Sequence, residues 1–170
     1  MNTRFAMRLP QHQARLVSLA VHYHLVRPGS EIDPETFGTY HHGLAELAPE
    51  VDAQLDEEQA VIEVNPLQTV LLTTALSSII SELKMYSVFD TMSAGSNRPR
   101  STATGFDDRL RALFPAVTGD PEYASQLAED TMMLRRELPS ARAREIMEEQ
   151  REATRQAKTA RKRWWRFWDR

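Results

Sequence analysis

Cysteine is absent from this 170-residue chain. That excludes a disulfide framework, a thiolate zinc site, an iron–sulfur cluster and a cysteine nucleophile. No spanning hydrophobic run is present either. The longest apolar stretch, residues 67–80 (LQTVLLTTALSSII), is broken by Thr69, Thr73, Thr74, Ser77 and Ser78 and gives way to Glu82 and Lys84. It falls short of the roughly 18 residues a membrane helix needs, so it reads as a core helix. The opening MNTRFAMRLPQHQ has none of the apolar run of about 7–15 residues that makes a secretory leader, and the expectation is a cytoplasmic chain. Catalytic signatures are missing as well: no HExxH, no glycine-rich phosphate loop and no GxSxG elbow. The acidic stretch 50–63 lacks the spaced oxygen ligands and glycine of a calcium loop, and reads as a solvated face.

What is present is an uneven distribution of charge. The whole chain carries 21 Lys+Arg against 24 Asp+Glu, a net −3. Residues 151–170 hold eight cations and two acids, a net +6, which leaves the preceding 150 residues at −9. Near-neutrality therefore conceals an acidic body and a cationic end. Apolar residues make up 41% of the chain. With glycine added, that is just under the globular average of about 45–50%, enough for a modest core that does not extend over the whole length.

Helical periodicity organises the body. Leu16, Leu19, Ala20, Tyr23 and Val26 recur at spacings of three and four, predicting a helix from about Pro10 that stops at Arg27-Pro28-Gly29. Asp33-Pro34-Glu35 is a start signal, and Phe37, Tyr40, His41, Leu44 and Leu47 form the inward stripe of a second helix. Pro49 opens a short acidic helix ending near Gln59. Val61 to Val64 is β-branched but has no evident partner strand, so it is expected to be an extended connector. Asn65-Pro66 begins a helix to about Asp90 that is apolar on all sides, which predicts a central element buried by its neighbours. Its hydroxyls are expected to bond the carbonyls of the preceding turn.

Residues 93–105 (SAGSNRPRSTATG) read as a flexible, mildly basic loop. A short helix over about 107–114 and another capped by Asp120-Pro121-Glu122 come next, ending at Pro139-Ser140. From Ala141 to about Trp168 no breaker occurs, and Ala, Glu, Gln and Arg favour helix. The expected fold is all-α, a small bundle of about five to six helices. Its parts are a bundle over 1–92 with a buried central helix over 66–90, a loop over 93–105, completing helices over 106–138, and a long basic helix over 139–170.

All five histidines precede residue 43. Ligands share a helical face at spacings of three or four. His22 and His24 are two apart, and His41 and His42 are adjacent. Only His42 and Glu46 have chelating spacing, and two ligands do not make a site. His12, His41, His42 and Glu46 are the candidates for a metal. The expectation is that His12 and His41 are hydrogen-bonded core or boundary residues, with no metal and no cofactor.

The sharpest feature is the end, ARKRWWRFWDR. At about 100° per residue, Ile146, Ala153, Ala157, Ala160, Trp164, Phe167 and Trp168 share one stripe, with Trp165 at its margin. Arg155, Lys158, Lys162, Arg163 and Arg166 lie around the other side, and Arg161 adds a further cation. Tryptophan favours the membrane interface and basic side chains attract anionic lipid, so Lys158, Arg161, Lys162, Arg163, Trp164, Trp165, Arg166, Phe167 and Trp168 form the candidate binding element for an anionic membrane surface. Tryptophan is equally a common anchor at protein interfaces, which makes a protein partner or a second copy of the chain the competing occupant. Nucleic acid is a third, although single-strand grooves mix cations with aromatics where this helix segregates them. The reading is a non-enzymatic helical adaptor or peripheral membrane protein, cytoplasmic or at the inner face of the membrane. The alternatives are a nucleic-acid-binding or regulatory protein using the same tail, and a metal protein or enzyme built on the N-terminal histidines.

Overall fold

A computed structural model describes residues 3–27, 30, 43–92, 105–120 and 122–168, the side chains of 89–92 and 160–168 excepted. The elements run β1 (Phe5–Pro10), α1 (Gln11–Leu25), α2 (Leu44–Asp52), β2 (Gln59–Val64), α3 (Pro66–Met92), α4 (Phe106–Leu113), a 3-10 turn (Pro115–Thr118), α5 (Glu122–Glu137) and α6 (Ser140–Trp168). The fold is mainly helical, as expected, with one small sheet.

Helix α3 is the axis. Asn65 and Gln68 form a reciprocal cap: the Gln68 amide donates to Asn65 Oδ1 at 2.8 Å, and the Asn65 amide to Gln68 Oε1 at 2.9 Å. Each bond satisfies a donor that the first helical turn leaves unpaired. Leu72, Ala75, Leu76, Ile79 and Leu83 are completely buried, and α5, α1 and α6 pack around them. Five hydroxyls on α3 (Thr69, Thr73, Thr74, Ser77 and Ser78) donate to the carbonyl four residues back at 2.7–3.1 Å. They are satisfied within the helix, as expected.

Residues 61–64 are not a connector. They belong to β2, which pairs antiparallel with β1 in the register Phe5↔Val64 through Pro10↔Gln59. Phe5, Met7 and Leu9 turn inward on one strand, and Ala60, Ile62 and Val64 on the other. The period of two fits a sheet with one buried face. The second difference concerns Pro49. It opens no helix; it lies inside α2, which ends at Asp52. Proline there forgoes one intrahelical bond. Burial of Leu44, Leu47, Ala48 and Val51 along one face outweighs that loss. Of the helix expected to start at Asp33, residues 33–42 lie outside the described residues, while Leu44 and Leu47 of its stripe belong to α2; of the loop expected over 93–105, residues 93–104 lie outside them.

Candidate functional site

Three features bear on function: the exposed length of α6, the cleft beneath it, and a half-buried polar cluster between α1, α2 and α4.

Helix α6 starts directly after Pro139, with the Ala143 amide donating to the Pro139 carbonyl at 3.0 Å. Ala143 and Ile146 are buried against the body, chiefly α3. From Glu148 to Thr159 every side chain is exposed. At 1.5 Å per residue these twelve positions carry the helix about 18 Å. Ala153 and Ala157 continue the stripe of Ala143 and Ile146, now in solvent. Lys158 is exposed. Arg161, Lys162, Arg163, Trp164, Trp165, Arg166, Phe167 and Trp168 fall on the same helix by its backbone; their side chains lie outside the described residues. No helix among the described residues is long and apolar enough to cross a membrane.

Between α6 and the body runs a cleft of about 720 Å³. Arg151 and Arg155 line one side; Glu46 and Glu50 of α2 and Glu63 of β2 line the other, where Arg4 pairs with Glu63 at 3.3 Å. Gln150, Arg151, Thr154 and Arg155 share one helical face by their spacing. The cationic side of α6 thus overlooks an acidic wall.

The polar cluster has no counterpart in the sequence reading. Ser18 Oγ donates to Asp52 Oδ1 at 2.7 Å, and His22 Nε2 meets Asp52 Oδ2 at 2.7 Å. Arg109 Nη2 reaches Asp52 Oδ1 at 2.8 Å and Ser18 Oγ at 2.7 Å. Burial pushes the Asp52 carboxyl up, but the bonds from Ser18 and His22 and the charges of His22 and Arg109 outweigh it and hold it below the usual carboxylate range. Serine, histidine and aspartate invite comparison with a nucleophilic triad. The order is wrong for one: the hydroxyl donates to the carboxylate, whereas a nucleophile must give its proton to the imidazole. The cluster instead ties α1, α2 and α4 together. The only local signal in the sequence is the four-residue spacing of Ser18 and His22, because Asp52 and Arg109 arrive from distant segments.

Of the metal candidates, His12 is bonded to Asp130 at 2.9 Å and sits edge-on to Phe114, at the boundary position expected of it. Glu46 is exposed in the cleft wall. His41 and His42 lie outside the described residues. Among the described residues no three His, Cys, Asp or Glu side chains are grouped to hold a metal ion. No protein-family model, curated protein or solved structure matches the chain, so its function has to be argued from its own residues.

Proposed function

We propose that this is a non-enzymatic peripheral protein whose α6 helix brings a cationic, tryptophan-rich end to an anionic membrane surface. The observation that carries the reading is the exposure of α6 from Glu148 to Thr159. A helix whose side chains are all exposed over this length gains little stability from packing there, and it works as a spacer for the residues beyond Thr159. Those residues read ARKRWWRFW up to the end of the helix. Each Lys or Arg close to an anionic bilayer contributes on the order of 1 kcal/mol, and tryptophans settle at the headgroup layer. Arg161, Lys162, Arg163 and Arg166 with four aromatics therefore favour reversible binding at the surface.

Liposome flotation tests it. The full chain is expected to float with vesicles containing anionic lipid and to stay behind with neutral ones, whereas a chain ending at Gln150 stays behind with both. Replacing Trp164, Trp165, Phe167 and Trp168 by alanine separates insertion of aromatics from charge attraction. A full chain that remains at the bottom of the gradient with anionic vesicles overturns the proposal.

A further inference from the structure

The two edges of the small sheet are treated differently. One step past the Pro10↔Gln59 pair, the Gln11 amide donates to the Glu58 carbonyl at 3.2 Å, in the same register. Antiparallel ladders alternate hydrogen-bonded and non-hydrogen-bonded pairs. Odd-numbered residues of β1 therefore direct their main-chain groups at β2, and Arg4, Ala6 and Arg8 direct theirs away from it. The same alternation turns Val61 and Glu63 of β2 outward on the opposite edge. There α2 and the turn after it cover them: the Val61 amide donates to Gln54 Oε1 at 2.8 Å, Gln54 Nε2 to the Val61 carbonyl at 3.1 Å, and the Glu63 amide to Glu50 Oε1 at 3.4 Å. Among the described residues, nothing covers the main chain of Ala6 and Arg8 in that way. Their edge opens on a cleft of about 560 Å³ whose far wall is the end of α5, with Leu134, Glu137, Leu138 and Pro139.

An open edge takes an added strand. The cations of β1 decide which. A second copy of this chain pairing edge to edge about Ala6 sets Arg4 of one copy opposite Arg8 of the other; pairing about Arg8 sets Arg8 against itself. Like charges directly opposite are destabilising. The register between these loses two donors at Pro10, which has no amide hydrogen. The side chains opposite Ala6 and Arg8 would lie on the exposed face, where no described acid pairs with Arg8. The intervening ones would lie with Met7 and Leu9 beside the end of α5, where Glu137 disfavours further acids. We infer that the outer edge of β1 binds an extended peptide of alternating acidic and apolar residues, added antiparallel as a third strand. This surface shares Arg4 with the cleft beneath α6 but does not depend on the membrane reading.

The test is fluorescence anisotropy of the full chain with two labelled hexapeptides, one alternating valine with glutamate and one alternating valine with lysine. The glutamate peptide is expected to bind about tenfold tighter, the factor that about 1.4 kcal/mol produces. Ala6→Pro removes one outward donor and leaves the β1–β2 ladder intact, because proline is tolerated where the amide faces away from the sheet. It should weaken glutamate-peptide binding about tenfold with the thermal midpoint retained. Arg8→Glu, at an exposed position, should reverse the preference between the peptides. Equal binding of the two peptides, no binding of either, or glutamate-peptide binding unaltered in both variants overturns the inference. So does self-association of the full chain that Ala6→Pro abolishes, since the edge would then be taken by a second copy.

Discussion

Asp52 Oδ2 lies 2.7 Å from His22 Nε2, and the same carboxylate accepts from Ser18 and Arg109 through its other oxygen. One carboxylate thus fastens the end of α2 to α1 and α4. Among the described residues Arg109 Nε is buried without a partner, so the guanidinium depends on its Nη2 bonds for compensation. Asp52→Ala leaves Ser18, His22 and Arg109 without their shared acceptor. Loss of a charged acceptor from a half-buried network costs about 2 kcal/mol. Thermal unfolding should show a midpoint lower by about 4–8 °C.

The same residue imposes a pH dependence. The Asp52 carboxyl titrates lower in the folded chain than in the unfolded one. Its contribution is therefore complete above the ordinary carboxylate range near pH 4 and is lost as pH falls through the folded value. Asp52→Asn has no such proton to take up. Denaturant unfolding of the two proteins should show a stability gap that narrows as pH falls below about 4 towards about 3.

Ile146 and the residues after it behave oppositely. Ile146→Ala removes a buried side chain where α6 meets the body and should cost about 2 kcal/mol or more. Ending the chain at Gln150 removes only exposed positions among the described residues, and should change stability by no more than about 0.5 kcal/mol. Urea denaturation of both checks the contrast. A large loss on truncation would mean that the helix end packs on the body.

Gln54 acts as a side-chain substitute for a neighbouring strand. Gln54→Ala strips two bonds from Val61 and should cost about 1 kcal/mol. Amide exchange at Val61 should accelerate. Exchange at Ile62, whose main chain faces β1, should change less.

Helix α3 was legible because its signals are local. Asn65-Pro66 followed by Gln68 caps α3, and the Leu72, Leu76, Ile79, Leu83 spacing buries it. The sheet was not. Phe5, Met7 and Leu9 alternate over only six residues, and their partner strand begins about fifty positions later. The cluster of Ser18, His22, Asp52 and Arg109 escaped for the same reason, since three separate helices supply it.

The amino-acid sequence alone therefore determined the helical class, the central helix, and the division into an acidic body and a cationic, aromatic end, because helix caps, periodicity and charge act over a few residues. The tertiary structure decided the pairing of β1 with β2, which of the two sheet edges is covered, and the charge network at Asp52. These depend on which distant segments the burial of apolar faces brings together, and no local pattern encodes that choice.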